Sequence, residues 1–226
     1  WLTLSEINLL SMSKKIVITG GIGYIGTELC KIYSGISWNN EILVIDNRFI
    51  SERVNQLRNW NMEFIHGDIL NKELINKHCK DADVVHHLAG ITDVPRTKNE
   101  ANKDKNEKII SVAEKGTQNI LDAISDKCKI ILPSTHVVYE GIESVKKDID
   151  ENEKTKPVLS YASSKAINEK QLKNSGKNYV ILRLGSVYGY STDTARIDIM
   201  PNLFSKIASE NGILKLFAGG RQLKSL

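Results

Sequence analysis

Short apolar runs alternate with amphipathic stretches along most of the chain. The first apolar run lies within Lys14–Thr19, and the stretch that follows, Tyr24–Ser34, carries its apolar residues at helical spacing. Short continuous apolar runs are typical of strands buried in a parallel sheet, and a 3.6-residue spacing is typical of helices that cover such a sheet. The alternation therefore predicts an α/β fold, a doubly wound parallel sheet with helices on both faces.

The same pattern predicts further elements. Strands are predicted at 41–45, 61–66, 82–88, 129–132 and 179–182, and helices at 72–79, 99–125 and 163–172. The long helix is predicted to bury Ile109, Val112, Ile120, Leu121 and Ile124. Near the C-terminus, Met200–Phe204 begins a helix and Ile213–Phe217 is predicted to be a strand. Ligands of parallel sheets bind at the carboxyl ends of the strands, so residues that directly follow the strands are candidates for function.

A glycine-rich loop follows the first strand. Thr19–Gly26 has the pattern T-G-x-x-G-x-x-G between a strand and a helix, which is the setting of a phosphate-binding loop. Gly20 permits the tight turn, Gly23 lets the backbone approach a pyrophosphate, and Gly26 lets helix and strand pack closely. Amide groups and the helix dipole would then bind the pyrophosphate of a dinucleotide. Taken alone, the loop is also compatible with a turn that binds nothing.

A carboxylate follows the second strand. Asp46 comes twenty positions after Gly26, where a carboxylate accepts hydrogen bonds from the adenosine ribose in dinucleotide-binding sheets. Such a carboxylate repels a 2′-phosphate, so NAD is favoured over NADP, although Arg48 is close enough in sequence to weaken that preference. The alternative is a strand-end turn formed by Asp46 with Asn47.

A second motif, Tyr161-Ala162-Ser163-Ser164-Lys165, supplies candidate chemistry. Tyr161 and Lys165 are four residues apart and therefore lie on one helix face. A neighbouring ammonium and the positive nicotinamide of NAD both favour phenolate, which lowers the phenol pKa from about 10 toward neutral pH. Lys165 can also bind the nicotinamide ribose, and a hydroxyl from Ser134-Thr135 can orient a substrate oxygen. Chance matches to this motif are common, but its position in a dinucleotide-binding sheet favours a redox enzyme.

Composition excludes several other classes of protein. The 226 residues are 41% hydrophobic and 26% charged, and the net charge of +4 is scattered, so a nucleic-acid partner is not expected. The sequence has no run of about 20 apolar residues, so no membrane span is predicted. Cys30, Cys79 and Cys128 fall within helix or strand patterns, which indicates reduced, buried thiols and a cytoplasmic location. The histidines and cysteines lack metal-ligand spacing, so no metal site is predicted.

Ordered matches along the chain carry a family resemblance. They are the glycine loop, Asp46, Gly67-Asp68-Ile69, His87-Leu88-Ala89-Gly90, Gly116-Thr117-Gln118-Asn119, Ser134-Thr135-His136-Val137-Val138-Tyr139, the Tyr161/Lys165 pair and Arg183-Leu184-Gly185-Ser186-Val187-Tyr188-Gly189. From about Lys14 to Leu226, the chain resembles the extended short-chain dehydrogenase/reductases, specifically the NAD-dependent sugar epimerase/dehydratase family and its UDP-glucose 4-epimerase-like members. The resemblance implies a Rossmann-type domain that binds NAD, a nucleotide-sugar substrate and a homodimer.

The resemblance also implies roles for individual residues. Asp68 and Ile69 would flank the adenine, Leu88-Ala89-Gly90 would line the dinucleotide, and Thr135 would be the catalytic hydroxyl. The candidate catalytic residues are Tyr161, Lys165 and Thr135, and the candidate substrate-binding residues are Thr135 and Ser186. The candidate cofactor-binding residues are Gly20, Gly23, Tyr24, Ile25, Gly26, Asp46, Asn47, Asp68, Ile69, Leu88, Ala89, Gly90, Tyr161 and Lys165.

The implied reaction removes a hydride from a sugar carbon, forms a transient keto sugar and returns the hydride to the opposite face. Sugar 4,6-dehydratases of the family place Asp-Glu after the catalytic threonine, but His136-Val137 follows Thr135 here, so an epimerase is favoured over a dehydratase. Three positions depart from the family: Ala113 and Ser186 replace usual asparagines, and Glu140 interrupts the usual Tyr-Gly pair. An NAD(P)-dependent reductase or dehydrogenase of a small hydroxyl or carbonyl compound, and a non-catalytic dinucleotide sensor, remain alternatives.

Three regions are expected on this basis. Residues 1–11 are interpreted as a non-native or disordered extension, because Met12 directly precedes the first strand. Residues 12–185 are expected to form the NAD-binding domain. Residues 186–226 are expected to begin a smaller substrate-binding domain that is incomplete, which predicts that the chain is a fragment.

Overall fold

The structure, a computed structural model, describes residues 13–36, 40–92, 103–144, 146–191, 196–197 and 199–220. The strands are β1 (Lys15–Thr19), β2 (Glu41–Asp46), β3 (Glu63–His66), β4 (Val84–His87), β5 (Lys129–Thr135) and β6 (Asn178–Leu184). The helices are α1 (Tyr24–Ser34), α2 (Ser51–Asn59), α3 (Lys72–Cys79), α4 (Lys103–Ala123), α5 (Ser160–Asn174) and α6 (Met200–Ser209). Short 3-10 helices lie at His136–Tyr139 and Phe217–Gly220.

The six strands form one parallel sheet in the order β3-β2-β1-β4-β5-β6. In the centre, Val17 of β1 lies opposite Leu43 of β2 on one side and Val85 of β4 on the other. The chain builds outward from β1 to β3 and then starts the second half at β4, so the strand order reverses between β1 and β4. Open parallel sheets bind ligands at the carboxyl ends of the strands at this point. The predicted Rossmann-type, doubly wound fold is confirmed.

Two apolar clusters pack against the two faces of the sheet. Successive residues of a strand point to opposite faces, and accordingly Val17 packs in a cluster with Ile120 of α4, whereas Ile18 packs in another with Ile22. The predicted buried face of α4 is confirmed, since Ile109, Ile120, Leu121 and the following Ile124 are buried and Val112 is partly buried. Each such side chain contributes about 1.5–3 kcal/mol on burial.

Two elements differ from the prediction. The apolar pattern does not predict α2, because only Val54 and Leu57 of its nine residues are apolar. The predicted strand at Ile213–Phe217 is wrong: residues 212–216 have no regular structure, and a 3-10 helix begins at Phe217. Its side-chain pattern suits a strand, but no strand in the described part of the chain pairs with it, and Ile213 is 83% exposed. An extended segment without a hydrogen-bonded neighbour is not stable in water.

Residues 99–102 of the predicted long helix lie outside the described residues. None of the described helices has both the length and the apolar character needed to cross a membrane. The described residues also contain no group of three or more His, Cys, Asp or Glu side chains placed to hold a metal ion. The three cysteines are buried free thiols, as predicted.

Candidate active site

The glycine loop joins β1 to α1 at the point where the strand order reverses. Gly20 has a φ of +72°, and a Cβ on it would lie 2.7 Å from the amide nitrogen of Ala89. A Cβ on Gly26 would lie 2.5 Å from the carbonyl oxygen of Gly20. Both positions therefore require glycine. The loop backbone lies against the segment Leu88-Ala89-Gly90, which brings two sets of candidate cofactor residues together.

The first turn of α1 follows the loop without a side-chain cap. The helix begins after Gly23, has no capping side-chain hydrogen bond and has no acidic residue in its first turn. The amide groups of a helix's first turn lack partners within the helix and attract anions. Tyr24 and Ile25 lie in this turn, with Ile25 exposed. The loop and this turn together fit a pyrophosphate.

Asp46, at the end of β2, is buried beside the glycine loop. Its Oδ2 accepts a hydrogen bond from the backbone amide of Ile22 at 3.3 Å, and its Oδ1 accepts one from the backbone amide of Arg48 at 3.0 Å. The guanidinium of Arg48 lies on the same carboxylate, with Nε 3.3 Å from Oδ1. The expected carboxylate is therefore next to the loop, and it forms an ion pair there.

Asn47, Asp68 and Ile69 form the adjacent part of the site. The side-chain amide of Asn47 donates to Asp68 Oδ2 at 2.9 Å and so joins the ends of β2 and β3. The carbonyl oxygen of Ile69 accepts a hydrogen bond from Asn119 Nδ2 at 3.0 Å. The Ile69 side chain packs over Gly116, where a Cβ would lie 2.3 Å from Ile69 Cδ1. These contacts hold the segment after β3 against α4.

His87, at the end of β4, connects the loop with α4. Its Nδ1 lies 2.9 Å from Thr19 Oγ1, and its Nε2 lies 3.0 Å from Thr117 Oγ1. Thr19 Oγ1 also accepts a hydrogen bond from the backbone amide of Ala89 at 3.3 Å. Burial, and to a lesser extent the charge of Lys165, lowers the pKa of His87 to about 3. The imidazole is therefore neutral near neutral pH and acts as a hydrogen-bonding bridge.

The candidate catalytic residues lie on α5 and at the end of β5. A spacing of four places Tyr161, Lys165 and Glu169 in one row along α5, which we call the α5 row. Glu169 accepts a hydrogen bond from Ser134 Oγ at 2.6 Å, so the row packs along the carboxyl end of β5, where Thr135 directly follows Ser134. Lys165 and Thr135 are buried, and Tyr161 is half-buried. Thr135 Oγ1 accepts a hydrogen bond from the backbone amide of Val137 in the 3-10 helix at 3.3 Å.

Burial controls the ionisation of Tyr161 and Lys165. It raises the pKa of the Tyr161 phenol, and the positive charge of Arg196 acts in the opposite direction. Burial also lowers the pKa of the Lys165 ammonium to about 8. Burial is the larger of these two effects on Tyr161, and the charge that opposes it comes from Arg196. In this state the phenol keeps its proton, and Lys165 titrates near pH 8.

A buried ion network holds α5 against the sheet. Arg183 of β6 donates to both oxygens of Glu169, with Nη2 2.6 Å from Oε2 and Nε 3.0 Å from Oε1. The same guanidinium donates to the hydroxyl of Tyr139 and to the carbonyl oxygen of Glu151 at 3.0 Å. Burial raises the pKa of Glu169, but hydrogen bonds from Arg183 and Ser134 outweigh it and leave that pKa below its usual value. The ionised pair thus connects α5, β5 and β6.

Residues after β6 return to the glycine loop. The Tyr24 hydroxyl donates to the carbonyl oxygen of Gly189 at 2.6 Å, and the Gly189 amide donates to Asn202 Oδ1 at 3.0 Å. Ser186 lies two residues after the end of β6 and is half-buried. The Asn202 side chain also donates to the carbonyl oxygen of Arg196 at 2.8 Å. The segment that contains Ser186 therefore leads from β6, where Arg183 contacts Glu169, to the start of α1, where Gly189 contacts Tyr24.

Two of the three departures from the family pattern make structural contacts. The carbonyl oxygen of Ala113 on α4 accepts a hydrogen bond from Asn168 Nδ2 of α5 at 2.9 Å. Glu140 Oε1 accepts hydrogen bonds from the backbone amides of Val158 and Leu159 at 2.8 and 2.6 Å. Glu140 therefore fixes the chain immediately before α5 begins.

The sequence prediction missed Glu169, Arg183 and Arg196 as members of the site. Glu169 is four residues after Lys165, so helical spacing already placed it in the same row. Arg183 directly follows the predicted strand at 179–182, but the sequence does not indicate which residue it contacts. Arg196 lies in a segment without hydrophobic periodicity, and no sequence signal places it near Tyr161.

One family match covers the candidate site and the described sheet, apart from Lys15 at the start of β1. A model of the NAD-dependent epimerase/dehydratase family matches residues 16–225, which include every candidate site residue. The chain belongs to this family. Its members catalyse different reactions, so membership establishes the class of enzyme and leaves the individual reaction open.

Individual relatives illustrate this range. A putative UDP-glucose 4-epimerase from Methanocaldococcus jannaschii is 29% identical, over 92% of this chain and 68% of its own length. A UDP-N-acetyl-alpha-D-glucosaminuronate decarboxylase from Bacillus cytotoxicus is 29% identical, over 94% of this chain and 67% of its own. The crystal structure of UDP-glucuronic acid 4-epimerase from Bacillus cereus with UDP-glucuronic acid and NAD has a TM-score of 0.72 and 28% identity, over 92% of this chain and 67% of that one. The chain thus spans about two thirds of the length of these relatives.

Proposed function

We propose that the protein is an NAD-dependent epimerase that inverts one carbon of a nucleotide sugar through a transient keto sugar. The observation that carries the proposal is the α5 row, which packs at the end of β5 beside Thr135 in a sheet whose glycine loop fits a dinucleotide. Membership of the NAD-dependent family and similarity to a 4-epimerase crystallised with NAD and UDP-glucuronic acid support it.

The chain's own residues fit the cofactor along its length. The pyrophosphate would lie on the glycine loop and the uncapped first turn of α1. The remaining contacts would be made by Asp46 and Asn47 to the adenosine ribose, Asp68 and Ile69 to the adenine, Leu88-Ala89-Gly90 to the middle of the dinucleotide, and Lys165 to the nicotinamide ribose. NAD, when bound, supplies the group that takes a hydride from the sugar carbon and gives it back.

Tyr161 would handle the proton that accompanies the hydride. As the sugar C–OH is oxidised to C=O, the phenol, once it is ionised beside the positive nicotinamide, would accept the hydroxyl proton. It would return that proton when the carbonyl is reduced on its opposite face. The positive charge of Arg196 favours the phenolate, against the burial that disfavours it. The ammonium of Lys165 and a bound nicotinamide would act in the same direction as Arg196. The Thr135 hydroxyl would orient the sugar oxygen, and Ser186 would contact the substrate.

The residues after Thr135 favour an epimerase over a dehydratase. Elimination of water from the sugar needs an acid and a base beside the keto intermediate. His136 instead places its Nδ1 3.1 Å from the carbonyl oxygen of Leu184, which engages this nitrogen with the β6 backbone. Val137 has no ionisable group. The family resemblance locates the dehydratase carboxylates at these two positions, so this chain lacks that pair.

The proposal is tested by incubating the protein, with any coding sequence that continues past Leu226, with NAD and a panel of UDP-, dTDP- and GDP-sugars. Products are separated by chromatography while absorbance reports free reduced cofactor. The expected result is an inverted sugar without accumulation of reduced cofactor. Steady accumulation would identify the dehydrogenase alternative, a deoxy keto sugar would identify a dehydratase, and NAD binding without turnover would identify a sensor. The homodimer, the cytoplasmic location and a substrate-binding domain that begins at residue 186 stay predictions.

A further inference from the structure

One arginine contacts the carboxylate that is expected to bind the adenosine ribose, and a second contacts the adjacent loop. Arg48 contacts Asp46 through three nitrogens: its backbone amide at 3.0 Å, Nε at 3.3 Å and Nη2 at 3.5 Å. Arg53, on α2, donates to the carbonyl oxygen of Ile22, whose amide donates to the same Asp46 carboxylate. Asp68, which follows β3 beside them, accepts hydrogen bonds from the side-chain amide of Asn47 and from the backbone amide of Leu70.

The position of Arg48 matters for a ligand on the glycine loop. A Cβ on Gly23 would lie 3.5 Å from Arg48 Nη2, so the guanidinium extends from Asp46 across the loop. Both Asp46 oxygens already accept hydrogen bonds, and the Asp46 side chain is only 4% exposed, whereas that of Arg48 is 54% exposed. A ribose that binds both Asp46 oxygens must therefore displace the guanidinium into solvent or onto the ligand.

The net charge around Asp46 differs from that of a lone carboxylate. An isolated Asp46 would repel a 2′-phosphate, which is the usual basis of discrimination against NADP. Here the charge of Arg48 offsets that of Asp46, and a second guanidinium, that of Arg53 on α2, donates to the carbonyl oxygen of Ile22 in the loop. Guanidinium groups bind phosphate through paired, charge-assisted hydrogen bonds. A displaced Arg48 that meets a 2′-phosphate gains such bonds, whereas one displaced by a 2′-hydroxyl gains none of comparable strength.

We propose that Arg48, supported by Arg53, makes the ribose end of the cofactor site accept a 2′-phosphate, so that the protein binds NADP(H) as well as NAD(H). The inference rests on the proposed function, since it concerns the same cofactor site. Arg48 is a specificity-determining residue for the cofactor, and it does not contact the reacting atoms.

Calorimetric titration of the protein with NAD and with NADP tests the proposal, in the wild type and in Arg48→Gln. We expect the wild-type dissociation constants for the two to differ by about tenfold or less. Arg48→Gln should weaken NADP binding by about tenfold or more, the value of a lost charge-assisted hydrogen bond, and leave NAD binding equal or tighter. Added salt should weaken wild-type NADP binding more than NAD binding, because the extra attraction is electrostatic.

Arg58→Gln is the matched control, because Arg58 is exposed on α2 and its replacement changes the net charge by the same amount. It should leave both dissociation constants unchanged, and thermal melts should match for all three proteins because Arg48 is largely exposed. The role of Arg48 would be overturned if the wild type bound NAD tightly but bound no detectable NADP, or if Arg48→Gln left NADP binding unchanged. Neither result would affect the proposed function. Failure of the wild type to bind either dinucleotide would instead overturn the cofactor site and with it the proposed function.

Discussion

In the glycine loop, backbone segments contact one another directly, whereas α5 is attached to the sheet through buried charged side chains. A Cβ on Gly20 or Gly26 would overlap neighbouring backbone atoms. The α5 row instead depends on Glu169, whose carboxylate joins Ser134 and Arg183. The first arrangement leaves no space for a side chain, and the second depends on charge and hydrogen-bond geometry.

The loop and the α5 row therefore need different things to be positioned: the loop its backbone, and the α5 row its side chains. The loop needs only a fixed, open backbone, because it binds phosphate through amide groups. The α5 row must hold a phenol and an ammonium at defined positions relative to a substrate, and displacements of about 1 Å reduce rates strongly. Substitutions in the loop should therefore affect stability and cofactor binding together, whereas substitutions in the network should affect turnover more than binding.

The largest effect is expected for Gly26→Ala. The added methyl group would lie 2.5 Å from the carbonyl oxygen of Gly20 and 2.6 Å from Gly21 Cα, so backbone atoms must shift. We expect a marked fall in melting temperature and loss of detectable NAD binding by calorimetry. Gly35→Ala, at the other end of α1, is the control, because its Cβ would meet only Ile32 O at an ordinary 3.6 Å. Equal behaviour of the two variants would contradict the close packing of the loop.

The second largest effect is expected for Tyr161→Phe, and it should be confined to turnover. Removal of the hydroxyl takes away the proton acceptor, and turnover should fall by about 10²–10⁴, the range for a general acid/base. NAD binding and the melting temperature should stay near the wild-type values. Steady-state kinetics and calorimetry on the same preparation check both parts. Wild-type turnover would remove Tyr161 from the mechanism.

Glu169→Gln should have an intermediate effect. The substitution keeps the size of the side chain but removes the charge that pairs with Arg183. The Arg183 side chain is 12% exposed, and it would lose its only carboxylate partner among the described contacts. We expect kcat to fall by about tenfold or more while NAD affinity changes little. An increase of about 1.4 kcal/mol in the activation free energy, caused by misplaced catalytic side chains, lowers the rate tenfold. Stability should also fall, since removing one member of a buried pair leaves the other unpaired.

Lys173→Gln is the control for this comparison. Lys173 lies 3.8 Å from the same Glu169 carboxylate, but its side chain is 50% exposed, and exposed pairs contribute little. A double variant of Glu169→Gln with Arg183→Gln should lose less than the sum of the single losses, because the two residues act as one unit. Additive losses, or a Lys173 variant as impaired as the Glu169 variant, would contradict a specific role for the Glu169–Arg183 pair.

The last prediction is a pH dependence of stability that arises at Lys165 and leaves turnover aside. Its folded pKa of about 8 lies below its ordinary value of 10.5, so between these pH values the unfolded chain holds a proton that the folded protein has released. Stability from this group therefore rises with pH across that range, by at most about 3 kcal/mol. The measurement is the difference in unfolding free energy between wild type and Lys165→Met, without cofactor, from pH 7 to 10.5. A difference that stays constant or changes in the opposite direction would contradict the burial of the ammonium.

Much of the fold could be predicted because hydrophobic periodicity reports burial directly. All six strands of the sheet follow apolar runs, and the buried face of α4 follows its spacing. Helix α2 could not be predicted, since it buries only two apolar side chains. The segment after α6 has the composition of a strand, but pairing partners are a tertiary property that composition does not report.

The site divides in the same way. The glycine loop, Asp46 and the Tyr161/Lys165 spacing are local patterns, and the sequence indicates them. The ion pair of Glu169 with Arg183, and the closeness of Arg196 to Tyr161, depend on how distant segments pack. The effect of burial on the Tyr161 pKa depends on the same packing, so the sequence argument from Lys165 and the nicotinamide does not include it.

The most direct test of the proposed reaction follows a deuterium label. The nucleotide sugar that the protein turns over is prepared with deuterium on the carbon that becomes inverted, and the epimer is analysed by mass spectrometry. If the hydride leaves and returns within one active site, the epimer keeps the deuterium and none appears in free reduced cofactor. Deuterium lost to solvent would indicate inversion by proton removal, and deuterium in released cofactor would indicate a dehydrogenase. Either result would contradict an epimerase that oxidises the inverted carbon and returns the hydride to its opposite face.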